Sequence, residues 1–214
     1  MPRPRQPEVR KRDILDAAER LFVTRGFDQT SVQQILDATG LAKGTFYHHF
    51  ASKEALMAAI LDREVEGIRD RCLGVLESPG LSSPQRLMAV VATGQARSAS
   101  QQDMLAELHR PQNIRFHHEA LEKTMHAVLP ILTQVVLDGI ADGDFRTDYP
   151  EEALEMLLRY SDAAFDELAI VADAALERRR HAFVHHAELL LGAAPASFDF
   201  LLELLSQAEK EARP

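Results

Sequence analysis

Within its 214 residues the sequence holds one cysteine, Cys72, and no tryptophan. A single thiol rules out a disulfide within the chain and points to a reducing compartment, the cytoplasm. Cys72 itself falls in an apolar helical rhythm, where buried, inert thiols are the rule. Low-complexity tracts and internal repeats are also lacking, which leaves an ordinary globular balance. No window approaches the run of about eighteen uncharged apolar residues that a membrane span needs, so a soluble protein with no membrane partner is expected. The basic start, MPRPRQPEVRKR, leads into an amphipathic helix rather than an unbroken apolar stretch and does not read as a secretory signal. Absent as well are an HExxH pair, a glycine-rich phosphate loop and a nucleophile elbow, the marks of common hydrolytic and phosphoryl-transfer sites.

What is present is a 46% hydrophobic content, enough to bury one core of ordinary size or a small domain fused to a larger one. The net charge of −9 at first argues against a polyanionic partner, but the charge is segregated. Residues 1–60 carry nine Lys and Arg against seven Asp and Glu, whereas residues 61–214 carry fifteen against twenty-six. Arg3, Arg5, Arg10, Lys11 and Arg12 form a basic leader, and the acidic body behind it would discourage DNA from docking in the wrong orientation.

Over residues 10–25 the apolar positions Ile14, Leu15, Ala18, Leu21 and Phe22 repeat as one buried stripe of a helix that Gly26 stops. Thr30 and Ser31 open the next segment, with Gln33 and Gln34 three residues after each, so a capping box can satisfy its first free amides. Val32, Ile35 and Leu36 give this short helix an inward face, and Gly40 stands where a left-handed residue would end it. A second short helix follows through 43–49, anchored by Phe46 and Phe50 four residues apart. Two short helices joined by a glycine-containing turn describe a helix-turn-helix. Ser52 then caps a long helix whose stripe is Leu56, Ile60, Ile68, Cys72 and Leu76. Helices are expected near 84–99, 102–109, 113–141, 151–173, 176–192 and 197–210, with Pro130 kinking the third of these. The fold class is all-α.

The stretch TSVQQILDATGLAKGTFYHHFASK, from Thr30 to Lys53, resembles the N-terminal domain of the TetR family of regulators. The likeness takes in the helix before it, Gly26 and Phe27, Thr30, Gly40, the Lys-Gly-Thr-Phe-Tyr run, Phe50 and Ser52-Lys53, about the first quarter of the chain. It implies a three-helix DNA-binding domain over 1–52 and a larger helical effector-binding and dimerisation domain over 53–214. It also implies a ligand-responsive repressor that acts as a homodimer on a palindromic double-stranded DNA operator.

The chemistry of the motif agrees. A recognition helix turns hydrogen-bonding groups toward base edges and phosphates while apolar groups hold it on the domain. Lys43, Thr45, Tyr47, His48 and His49 suit the first task, and Gly44 lets the backbone approach the groove. Thr30 and Ser31 stand at a helix N-terminus, where a phosphate oxygen is favoured, with Gln33 one turn in. Lys53 can reach a further phosphate. Arg3 and Arg5, separated by prolines, read either as a minor-groove arm or as a tail.

Binding a palindrome pairs two recognition helices about 34 to 36 Å apart and requires a dimer. Leu154, Leu157, Leu158, Phe165 and Leu168 make one candidate interface stripe; Phe183, Val184, Ala187, Leu190 and Leu191 make another. By pattern alone both stripes serve the subunit's own core equally well. The resemblance places the effector among the helices between Leu56 and Val136, where methionine and aromatic residues suit an adaptable pocket. Met88, Met104, Leu108 and His109 are candidates there, as are Phe116, His117, Leu121 and Met125.

No cofactor or metal is expected. His48 and His49 are neighbours pointing about a hundred degrees apart on a helix, which is poor ligand geometry. His109, His117, His118, His126, His181, His185 and His186, of which His181 and His185 share a face, frame with Asp142, Asp144 and Asp148 the rival reading of a metal-dependent hydrolytic enzyme. A third reading is a DNA-binding protein without effector control.

Overall fold

The structure, a computed structural model, describes residues 7–96, 98–165 and 173–202. Among these residues there are nine α-helices and no strand. The order is α1 (Pro7–Arg25), α2 (Val32–Thr39), α3 (Lys43–His49), α4 (Lys53–Leu76), α5 (Ser83–Gln95), α6 (Ala99–Leu108), α7 (Ile114–Asp142), α8 (Pro150–Phe165) and α9 (Asp173–Leu191). A single 3-10 turn, Pro111–Asn113, leads into α7. Helix starts follow local chemistry: Ser31, Ser82 and Ser98 each close a capping box with a glutamine three residues on. Gly40 ends α2 at φ 67°, its N–H donating to the Leu36 carbonyl. Of the helix expected over 197–210, residues 197–202 lie within the described residues, where 197–199 form a turn and helix begins at 200.

The chain divides into two compact units. Among described residues the first comprises 7–67 and 98–124, and the second 68–96, 125–165 and 173–202. The helices α4 and α7 each contribute residues to both.

In the first unit Ile14, Ala18 and Phe22 of α1 pack with Ile35, Phe46, Phe50, Leu56, Met57 and Ile60. Three residues expected in an effector pocket complete this core instead: Met104, Leu108 and Phe116. The Phe116 ring meets Phe27 edge-on at 4.9 Å, so its apolar surface is spent on the α1–α2 turn. Arg63 of α4 bridges Asp16 and Glu19 of α1.

In the second unit Cys72, Val90, Leu132, Val135, Val136, Leu191 and Phe198 are the most deeply buried members of the core. Burial pushes the Cys72 thiol up, Arg71 opposing only in part, which suits an inert packing role. Close approach is built in at Gly139, where an added Cβ would lie 2.3 Å from the Phe145 ring.

Together with the turn before it, α7 is the one helix among the described residues long and apolar enough to cross a membrane by length and composition. That measure tolerates up to two charged residues and is looser than the uncharged apolar run of about eighteen residues expected of a membrane span. Core helices meet the same criterion, and Phe116, Val128, Ile131, Leu132, Val135 and Val136 of α7 are buried among other helices.

Candidate nucleic-acid interface

The surface of interest is made by α2, the turn 40–42 and α3. Ser31 caps α2: its hydroxyl accepts from the Gln34 N–H at 3.3 Å, and the Gln34 side chain accepts from the Ser31 N–H at 2.8 Å. Gln33 is exposed and donates to Asp37 at 2.8 Å, one turn along. With Phe46 fully buried and Phe50 nearly so, α3 is held from behind and its opposite side is left free. That side carries Lys43, Gly44, Tyr47 and His48, all exposed, with Thr45 and His49 half-buried at its edges.

The Tyr47 ring stands edge-on to Phe46 at 5.3 Å, which fixes the direction of the phenol, and Lys43 lies 5.9 Å above the Tyr47 ring. No heavy atom comes within 4 Å of a Cβ built at Gly44, so the helix backbone is open to approach there. The result is a seven-residue helix with a cation, a phenol, an imidazole and bare backbone on one side, held on the other by Phe46 and by Phe50 at its C-cap. Such a surface can donate to phosphate oxygens and to base edges at once.

Two expected contact residues have other employment. Thr30 is buried, and its hydroxyl donates to the Gly26 carbonyl at 2.8 Å and approaches that of Leu21. It closes the α1–α2 turn rather than facing a phosphate, because a buried hydroxyl must find its partner inside. Lys53 donates to the Phe27 carbonyl at 2.7 Å and the Thr30 carbonyl at 2.9 Å, with its ammonium 4.2 Å from the Phe27 ring. Only its third N–H is left for a phosphate.

In the second unit a narrow apolar cleft of about 80 Å³ opens between α5, α7, α8 and α9. Met88 is the only effector candidate among its lining residues, which include Leu132, Leu157, Phe183 and the polar Gln95 and Ser161. Of the other candidates, His117 is buried with its ring 4.5 Å from that of the exposed His109, while Leu121 and Met125 are half-buried.

The proposed interface stripes also turn inward. Leu154, Leu157, Val184, Ala187 and Leu191 are buried in the second unit, and Leu158, Phe183 and Leu190 pack against them. Leu168 and the Phe165 side chain lie outside the described residues. The outward apolar residues of the same helices are Met156, Tyr160 and Leu189. They form no extended apolar stripe: Met156 and Tyr160 are neighbours one turn apart, with the exposed Glu152 and Arg159 beside them. His181, His185 and His186 are exposed, and no group of three potential metal ligands occurs among the described residues.

An all-helical chain whose first unit presents a short exposed helix across a glycine turn from a capped one is a helix-turn-helix DNA-binding protein in architecture. Residues 14–60 match the family described as bacterial regulatory proteins, tetR family. The HTH-type transcriptional repressor KstR2 of Rhodococcus jostii (strain RHA1) is 33% identical over 157 residues, 70% of this chain and 74% of that protein. The HTH-type transcriptional repressor AcnR of Corynebacterium efficiens is 29% identical, covering 72% of this chain and 78% of its own. Among solved structures, Salmonella enterica GusR shares the fold with a TM-score of 0.56 at 24% identity, over 96% of this chain and 98% of that one. The chain belongs to the TetR family: it is a DNA-binding transcriptional regulator and not an enzyme.

Proposed function

We propose that the chain is a cytoplasmic, ligand-responsive repressor that binds a palindromic operator as a homodimer. The observation that carries the DNA contact is the two-sidedness of α3, with Phe46 buried completely while Lys43, Gly44, Tyr47 and His48 face out. Lys43 and Tyr47 contact phosphates; His48, Thr45 and His49 lie toward base edges; Ser31 and Gln33 add contacts from the start of α2. Met156, Tyr160 and Leu189, exposed on α8 and α9, supply the face that meets a second copy.

The cleft in the second unit supports an effector site. It is smaller than the roughly 300 Å³ that an ordinary ligand needs, so entry requires the surrounding side chains, the unbranched Met88 first, to repack. Because α4 and α7 have residues in both units, repacking in the second has continuous helices through which to act on the first. A coupling of about 1 to 3 kcal/mol would lower operator affinity roughly 5- to 150-fold. The relatives' names support repression as the direction of control, and one further relative is named the A-factor receptor protein.

The test is a gel-shift assay against the DNA upstream of the chain's own gene, with a panel of metabolites added. Specific retardation that a metabolite relieves supports the whole reading. Retardation that no metabolite changes favours a regulator without effector control, and normal binding by both Lys43→Ala and Tyr47→Ala would refute the contact surface.

A further inference from the structure

Glu107, near the end of α6, is 2% exposed, yet it carries a carboxylate. A buried charge persists only where partners compensate it, and the partners here are unusual in where they come from. One carboxylate oxygen accepts the Phe27 N–H at 2.7 Å, across eighty residues of sequence. The same oxygen accepts from the Asn113 side-chain amide at 2.9 Å, and that amide also donates to the Glu107 carbonyl. The second oxygen lies 3.0 Å from the guanidinium of Arg110, which is half exposed. Asn113 is itself buried, so the end of α6 and the turn into α7 are locked around this carboxylate.

What the lock grips is the turn between α1 and α2. Phe27 belongs to that turn, and three other ties already hold it: the Thr30 hydroxyl, Lys53 and the Phe116 ring. The contacts from Thr30 and Lys53 come from the helix-turn-helix segment and the start of α4. Glu107 is the one hydrogen-bonding partner of the turn, among the described residues, that α6 supplies.

We propose that Glu107 is a positioning residue for operator binding: its carboxylate ties the end of α6 to the α1–α2 turn, so that the placement of α6 sets the placement of the recognition helix. The proposal rests on the operator reading above. Fixed placement matters little to one half-site, which a single recognition helix fills by local adjustment. It matters to a palindrome, where two helices must arrive in register together.

The test compares the full-length wild-type chain with Glu107→Ala, Glu107→Gln and Met104→Ala, the last removing an apolar neighbour in the same core. Each is titrated by fluorescence anisotropy with the full palindrome and with a single half-site, at a temperature where circular dichroism shows all four folded. Glu107→Ala is expected to lose about tenfold or more on the palindrome while its half-site affinity stays within about twofold. Glu107→Gln, which keeps an acceptor for Phe27, should recover most of that loss, and Met104→Ala should keep the palindrome affinity even where it melts as early as Glu107→Ala. Amide exchange should rise in the peptide spanning 23–30 of Glu107→Ala and not in the α1 stretch 12–20.

Equal losses on half-site and palindrome, an equal loss in Met104→Ala, or wild-type affinity in Glu107→Ala would each overturn the proposal. If the wild-type chain binds no palindrome at all, the operator reading itself falls, and this inference with it. Should Glu107→Ala fail to fold, Glu107→Asp, whose shorter side chain withdraws the acceptor from the Phe27 N–H, takes its place, with a palindrome-specific loss expected and an unchanged affinity overturning the proposal.

Discussion

The ammonium of Lys53 sits 4.2 Å from the centre of the Phe27 ring and donates to the Phe27 carbonyl at 2.7 Å. The first turn of α4 is thereby fastened to the α1–α2 turn by charge, hydrogen bond and ring face together. Lys53→Met keeps the apolar stem and removes the donors, leaving the Phe27 and Thr30 carbonyls short of a partner. A loss of about 1 to 3 kcal/mol in urea denaturation is expected. An unchanged midpoint would show that the contact does not stabilise the fold.

Lys43 and Tyr47 are exposed, so their removal should spare the fold. Lys43→Ala and Tyr47→Ala are expected to shift stability by no more than about 0.5 kcal/mol while abolishing specific retardation of operator DNA. Phe46→Ala separates the two roles of the helix, because it empties a fully buried site and should cost about 3 to 5 kcal/mol. Thermal melts beside gel shifts distinguish the two classes.

Phosphate contacts release counterions, and each contributes a slope of about −0.9 to log K against log salt. A dimer with several such contacts per half-site should weaken roughly a hundredfold or more between about 50 and 200 mM salt. Isothermal titration at a series of salt concentrations measures the slope, and a flat line would contradict the proposed role of Lys43.

Gly139 leaves room for the Phe145 ring, which a Cβ would approach to 2.3 Å, and for the Ser83 side chain at 2.8 Å. Gly139→Ala should therefore destabilise by about 1 to 3 kcal/mol despite the better helix propensity of alanine. A melting temperature at or above that of the wild type would mean that α7 and the turn after it shift apart freely.

Met156 and Leu189 are 61% and 63% exposed on helices whose inner faces are buried. If they meet a second copy, Met156→Lys combined with Leu189→Lys should raise the monomer fraction in sedimentation velocity while the circular dichroism spectrum is retained. Leu157→Ala, from the expected stripe, should lower stability instead by about 2 to 5 kcal/mol, since that residue is buried in its own unit. Dissociation by Leu157→Ala with unchanged stability would restore the stripe as the interface.

Much of the interface was legible in the residues themselves. The Ser31–Gln34 box, the left-handed Gly40 and the buried pair Phe46 and Phe50 follow from signals that act within four residues, and the structure keeps each of them. Less legible was Thr30, whose hydroxyl looks free at a helix start until the chain folds back and offers it the Gly26 carbonyl. Met104, Leu108 and Phe116 have the composition of a pocket, and only packing reveals that they fill the core beneath the helix-turn-helix.

Periodicity states that a helix has a buried face; it does not say what buries it. The sequence by itself determined that this chain is helical, how α2 is capped and ended, and which short helix turns polar groups outward, because capping, turn chemistry and the 3.6-residue repeat are local. It misplaced the break between α5 and α6, which falls between Gln95 and Ala99 with Ser98 capping α6, inside the helix expected over 84–99. The tertiary structure alone decided that the α8 and α9 stripes face their own unit. It alone brought the Glu107 carboxylate to the Phe27 N–H, eighty residues away. Those outcomes depend on which distant surfaces exclude water together, and no local pattern encodes that choice.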